Sequence, residues 1–160
     1  MRVAVHAVGR MKSGPEKELA DRFFDRFGKS GAPLGLDFAG VTEISESRAA
    51  TASERRREEA MRLSAALPAG AALVLLDERG RDLGSEAFAR FLAEQRDGGR
   101  RATWLAIGGP DGHDRDAAPK ADLVLCFGKA TWPHQLVRVM LAEQLYRAAT
   151  ILAGHPYHRA

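Results

Sequence analysis

A parallel α/β sheet flanked by helices is the fold class this sequence predicts, and three observations predict it. Short runs of Val, Leu, Ile and Ala alternate with segments of helical periodicity along the whole chain, the signature of βαβ units. Two of those runs, "LVLL" (73–76) and "LVLC" (123–126), are apolar without interruption, as strands covered on both faces are. Capping and turn residues separate the segments, with no internal repeat, low-complexity stretch or long linker. At 160 residues one domain is expected over 1–160, large enough to bury a real core.

The elements follow in order. "RVAVHAVG" (2–9) is the first strand. "SGPE" (13–16) predicts a capping box with Ser13 as N-cap, Glu16 reaching back and Pro15 in the first turn. The helix behind it carries Leu19, Phe23, Phe24 and Phe27 at helical spacing and is expected to stop near Gly28. "PLGLDFAGV" (33–41) is a second strand. "TASE" (51–54) opens a helix that runs through "LSAAL" (63–67). "AALVLLD" (71–77) is the third strand. Ser85 is expected to cap the helix of Phe88, Phe91 and Leu92, which ends at "DGG". "ATWLAIGG" (102–109) and "ADLVLCFG" (121–128) are the fourth and fifth strands, and the last helix runs from about Pro133 to Leu152.

Composition narrows the function class. Lys and Arg exceed Asp and Glu by 24 to 21, and the isoelectric point near 9.3 permits contact with an acidic partner such as RNA without requiring it. The single cysteine, Cys126, cannot close an internal disulfide and reads as a buried, inert thiol. The opening "MRVAVHAVGR" lacks the apolar stretch and cleavage site of a signal peptide. No apolar run is long enough for a membrane span, so the cytoplasm is the expected compartment. No metal-ligand spacing is present, and His6 and His113 have no obvious partner ligands. "GRMKSG" (9–14) lacks the lysine of a phosphate loop, no G-x-G-x-x-G follows the first strand, and no G-x-S-x-G elbow occurs.

In a parallel sheet ligands bind at the carboxyl ends of the strands. That rule marks three places: after Leu76, at "IGGPDG" (107–112) and at "FGKATWP" (127–133). The paired glycines of the second allow a close approach to the backbone, or simply make a tight turn. In the third, Gly128, Thr131 and Trp132 either form a pocket of backbone groups and apolar wall for a flat ring, or Trp132 is core and Thr131 an N-cap. The charged run "ERRREEAMR" (54–62) reads as a solvated face. The last helix is apolar over more than the stripe of roughly 100° that one sheet requires, which suggests a second buried surface such as a subunit interface. Arg138, Glu143 and Arg147 in that helix are either an internal ion-pair set or a phosphate site. The terminal "GHPYHRA" (154–160) is either a frayed end or a set of reactive groups held by that helix.

Several stretches together resemble one family. "AVGR" (7–10), "LVLLDERG" (73–80), "AIGGPDG" (106–112), "KATWPHQLVRVMLAEQLYRA" (129–148) and "HPYHR" (155–159) are similar, in the same order, to the RlmH family. These are bacterial methyltransferases of the SPOUT class that act on N3 of a pseudouridine in 23S rRNA. The resemblance implies a C-terminal trefoil knot, which general topology rules would have excluded, and a homodimer. It implies S-adenosyl-L-methionine as cofactor, held by Leu76, Gly108, Phe127, Gly128, Lys129, Ala130, Thr131 and Trp132. It implies catalytic roles for Tyr157, His158 and Arg159, with 23S rRNA within the ribosome as partner and no metal or membrane involved. Ala160 is assigned no role. N3 of pseudouridine carries a weakly acidic hydrogen, and histidine is the side chain whose ordinary pKa suits its removal near neutrality. His158 is the candidate acceptor or orienting group, Arg159 the group for a phosphate or developing oxyanion, and Tyr157 a stacking or hydrogen-bonding partner. A knotted methyltransferase with another RNA target and a non-catalytic ribosome-binding protein are the competing readings.

Overall fold

Five strands, all parallel, form one sheet in the order β2-β1-β4-β3-β5 in a computed structural model that describes residues 1–159; Ala160 lies outside the described residues. The strands are β1 (Arg2–Val8), β2 (Asp37–Ile44), β3 (Ala72–Asp82), β4 (Ala102–Ile107) and β5 (Leu123–Cys126); the helices are α1 (Pro15–Gly31), α2 (Ala52–Ala66), α3 (Ser85–Asp97) and α4 (His134–Leu152). Val3, Val5, Val74, Leu105 and Leu125 of the sheet pack with Phe24 and Phe27 of α1, Phe88 and Leu92 of α3, and Leu141 and Leu145 of α4. A smaller cluster of Leu73, Leu75 and Ala106 packs with Leu63 of α2. Because successive strand residues point to opposite faces, these two clusters are the two covers of the sheet.

The fold class and the strand-helix order agree with the sequence reading, and several ends do not. Thr51 and Glu54 form both halves of the expected capping box. At α1 the N-cap is Gly14, not Ser13, with no side-chain cap. The helix begins on Pro15, which leaves Ser13 one residue too early. α1 also runs past Gly28 to Gly31. There the carbonyl of Leu36 would lie 2.6 Å from any added Cβ, and a 3-10 turn over Ala32–Leu34 delays β2 to Asp37. Ser85 is not the cap of α3; Gly84 is, and the Ser85 hydroxyl instead donates to Gln144 of α4 at 2.7 Å. The last helix starts at His134 behind Pro133, β4 ends at Ile107 and β5 spans only Leu123–Cys126.

β3 departs most from expectation. It pairs with β5 through Leu76, leaves the ladder, and returns with Arg81 opposite Leu125 and Asp82 opposite Cys126. The return crosses β5 closely: a Cβ on Gly80 would meet the Leu125 carbonyl carbon at 2.7 Å and the Val124 oxygen at 2.8 Å. Only glycine fits such a crossing. Among the described residues no helix is long and apolar enough to cross a membrane.

Candidate functional site

The break in β3 after Leu76 and the carboxyl ends of β4 and β5 meet around one cavity of about 960 Å³, at the upper end of the usual range for ligand sites. Leu76, Gly108, Phe127, Gly128, Ala130, Thr131 and Trp132 all line it. Lys129 is exposed and not among the lining residues. Residues separated by some fifty positions are thus brought together by the register of a parallel sheet, whose loops all emerge on one edge.

Each wall has a different construction. Where β3 leaves the β5 ladder, buried Leu76 leads into Asp77, whose carboxylate accepts from the Arg79 guanidinium at 3.0 and 2.9 Å and from the Arg79 amide at 2.9 Å. Those bonds hold the Asp77 carboxyl below its ordinary range. After β4 the chain folds back on itself. The Gly112 amide donates to the Gly109 carbonyl at 2.9 Å, Gly112 has φ +78°, and His113 Nε2 bonds the Ala106 carbonyl at 3.1 Å. A Cβ on Gly108 would lie 3.0 Å from the carbonyl carbon of Gly112. The loop is therefore both a tight turn and a surface of bare backbone. After β5, Gly128 takes φ +85°, and the Trp132 indole N–H donates to the Phe127 carbonyl at 3.0 Å. Trp132 is 43% exposed and is not core. Thr131 is exposed and does not cap α4. The bond to Phe127 pins the indole and leaves it as a fixed apolar wall.

Sequence reasoning missed several of the residues that line the cavity. Asp77, Arg79 and His113 lie in it, as do Ser53 and Arg56 from α2 and His134 and Val137 from α4. Asp77 stands directly after an uninterrupted apolar strand, which is a signal in retrospect. Burial lowers the pKa of His113, so this ring favours its neutral form. The α2 charges are not all solvated either. Arg55, Glu59 and Arg62 follow at helical spacing. Arg55 bonds Asp111 of the glycine loop, Glu59 is buried and accepts from the Ser47 amide, and Arg62 donates to the Ser45 carbonyl.

Tyr157 and His158 lie against α4, and none of residues 155–159 lines the cavity. Tyr157 Oη donates to Glu143 at 3.1 Å, and Arg147 lies 4.9 Å over the Tyr157 ring. Burial, and then the Glu143 carboxylate, raises the Tyr157 pKa. His158 Nδ1 is 3.4 Å from Arg147 and its Nε2 is 3.6 Å from Glu86. Arg159 is exposed. Glu143 and Arg147 are the internal ion pair expected, joined at 2.9 Å. Arg138 is not part of that set: it is buried, pairs with Glu43 and donates to the Gly9 carbonyl at 3.1 Å. Val137, on the cavity wall, and Arg147, under the tail, are ten residues apart on one helix, about 15 Å along its axis.

A family model described as "Predicted SPOUT methyltransferase" matches residues 1–158. The chain is 65% identical over 160 residues to the "Ribosomal RNA large subunit methyltransferase H" of Brucella anthropi, covering 100% of both chains. It is 64% identical to the protein of the same name from Mesorhizobium japonicum, again over 100% of both. Among solved structures, the SpoU methyltransferase AviRb from Streptomyces viridochromogenes, in complex with AdoMet, is similar at a TM-score of 0.40 and 12% identity, over 96% of this chain and 61% of that one.

Proposed function

The chain belongs to the SPOUT methyltransferases and, within them, to the RlmH family of ribosomal RNA large subunit methyltransferases; on that footing we propose that it methylates N3 of a pseudouridine in 23S rRNA within the ribosome, with S-adenosyl-L-methionine as donor. The observation that carries the reading is the convergence of Leu76, Gly108, Phe127, Gly128, Ala130, Thr131 and Trp132, from three separate strands, on one cavity. The residues fit such a ligand. Bare backbone at Gly108 and Gly128 offers polar groups and a close approach, and Leu76, Phe127 and Trp132 supply apolar wall for an adenosine. When bound, the donor supplies a sulfonium methyl group that is electrophilic without further activation.

What remains for the protein is to place the nucleophilic nitrogen and accept its proton. His158 is the acceptor or orienting group for N3–H. Arg159 neutralises a phosphate or the oxygen that gains charge as the proton leaves. Tyr157 stacks on the base. The tail docks on Glu143 and Arg147, about 15 Å along α4 from the cavity of its own chain, and that separation supports a tail that serves the cavity of the second protomer of a homodimer. Leu136, 39% exposed on α4, and the half-buried aromatic row Phe23–Tyr146–Tyr157, with centroids 6.2 and 4.7 Å apart, support a surface there that a second copy covers. The close crossing of Gly80 over β5 supports the trefoil threading.

Mass mapping of 23S rRNA from cells with and without this gene tests the reading. A methyl group that vanishes from one pseudouridine on deletion and returns on complementation is expected. An unchanged methylation map together with no calorimetric binding of S-adenosyl-L-methionine overturns it in favour of a non-catalytic ribosome-binding protein. A lost methyl at another nucleotide moves the target.

A further inference from the structure

Arg55 of α2 reaches across 56 positions to Asp111, the acidic residue of "IGGPDG". Its Nε donates to one carboxylate oxygen at 2.7 Å and its Nη2 to the other at 3.3 Å. The same guanidinium donates through Nη1 to the Ala49 carbonyl at 3.1 Å and the Ala50 carbonyl at 3.4 Å. One side chain therefore joins three pieces of chain: the glycine loop, the segment before α2, and α2 itself. The planar fork of arginine suits this, since its donors leave in fixed directions.

One turn further along the same stripe, Glu59 supports the loop from below. Its Oε1 accepts the Ser47 amide at 2.9 Å. A Cβ on Gly109 would meet its Oε2 at 3.0 Å and Val8 Cγ1 at 3.0 Å. The loop is thus pinned at Asp111, floored at Gly109, and closed by the Gly109–Gly112 and His113–Ala106 bonds. An ordinary exposed ion pair adds little to stability. This one is 31% and 26% exposed at its two side chains and ties a glycine-rich loop to a helix distant in sequence.

We infer that Arg55 and Asp111 are a positioning pair for the methyl-donor loop: α2 holds the backbone of Gly108–Gly112 in the conformation that receives S-adenosyl-L-methionine. Asp111 also lines the cavity, but in this role neither residue gives or takes a proton: the pair acts through the shape of the loop. The inference rests on the proposed reading of the cavity as the donor site, and it predicts an effect on donor affinity rather than on the chemical step.

The experiment is a double-mutant cycle on the full chain, with Arg55→Ala, Asp111→Asn and both together, read by calorimetry with S-adenosyl-L-methionine. Each single variant is expected to weaken donor binding roughly five- to thirtyfold, and the double variant no more than the worse single. Asp111→Glu, which keeps the carboxylate, is expected to recover most of the affinity. KM for the donor should rise while kcat at saturating donor holds. Hydrogen exchange without ligand adds a readout independent of binding: amides 109–113 should exchange faster in Asp111→Asn, with the sheet unchanged. Wild-type affinity and unchanged exchange in folded variants overturn the inference alone. Failure of the unmodified protein to bind the donor overturns the inference and the reading of the cavity together.

Discussion

The glycine loop after β4 and the tail after α4 are two short segments at the ends of elements, built in opposite ways. The loop presents bare backbone to the cavity, is closed by the Gly112–Gly109 backbone bond, and is braced from behind by the His113 ring on Ala106 and by Arg55 on Asp111. The tail is held mainly through side chains, with Tyr157 on Glu143 and His158 beside Arg147 and Glu86. A backbone-built surface depends on space and conformation, so what matters is the absence of a side chain. A side-chain-built surface depends on the identity of each group. The first suits holding a cofactor, the second proton transfer and substrate contact.

The sharpest way to break this contrast is to remove each region in turn. A chain ending at Pro156 should lose methyl transfer by a thousandfold or more, roughly the combined loss of a general base and an electrostatic partner, while binding the donor as before. Measurable single-turnover transfer at the normal rate would return the tail to a frayed end. Gly108→Arg should weaken donor binding at least about a hundredfold, because its side chain must enter the cavity or displace Gly112. An unchanged calorimetric affinity would remove the loop from the site. A smaller effect is expected at the anchor of the tail. Glu143→Gln keeps the shape of the Tyr157 contact but loses the pairing with Arg147, and should lower kcat roughly three- to tenfold with donor affinity unchanged.

The smallest effect is on stability. His6 is 2% exposed, has neither ring nitrogen bonded, and stacks on Trp104 at 5.7 Å. Burial and the neighbouring His113 lower its pKa, and burial lowers that of His113. The unfolded chain therefore takes up protons near the ordinary histidine pKa that the folded chain refuses until lower pH. Stability is whole above about 6.5 and declines as pH falls below it. Glu59, raised by burial, acts in the opposite sense at more acidic pH, since its protonation is easier in the folded chain. His6→Leu should change stability by about 1 kcal/mol or less, to either side of zero, and flatten the decline between pH 6.5 and 5. Parallel thermal melts of the two proteins across that range would show it; equal slopes would mean that His6 does not report the acid sensitivity.

Much of the fold was legible because strand burial writes itself as apolar runs, and the strand-end rule located the cavity from residues alone. The boundaries that shifted share a cause: a neighbouring element decided them. Gly31 ends α1 because Leu36 passes close, and Ser85 turns from capping toward Gln144. The pairings of Arg138 with Glu43 and of Arg55 with Asp111 are contacts between distant positions, and local patterns carry no record of them; Trp132 as a wall was one of the two readings its residues allowed. The charged stripe of α2 was visible at positions 55, 59 and 62, but its direction toward the loop depended on where β4 ends. The tail showed its chemistry in its residue types and hid its address, since nothing in "HPYHR" says which cavity it serves.

Mixing two inactive proteins tests the central claim most directly. Gly108→Arg keeps the tail and lacks the donor site; the chain ending at Pro156 keeps the site and lacks the tail. After subunit exchange, mixed dimers hold one complete site if the tail works across the interface. Methyl transfer should then return to about a quarter of the unmodified level, since half of randomly exchanged dimers are mixed and each has one working site. No recovery, with both variants folded and exchanging, would contradict a donor cavity and a reactive tail supplied by different protomers.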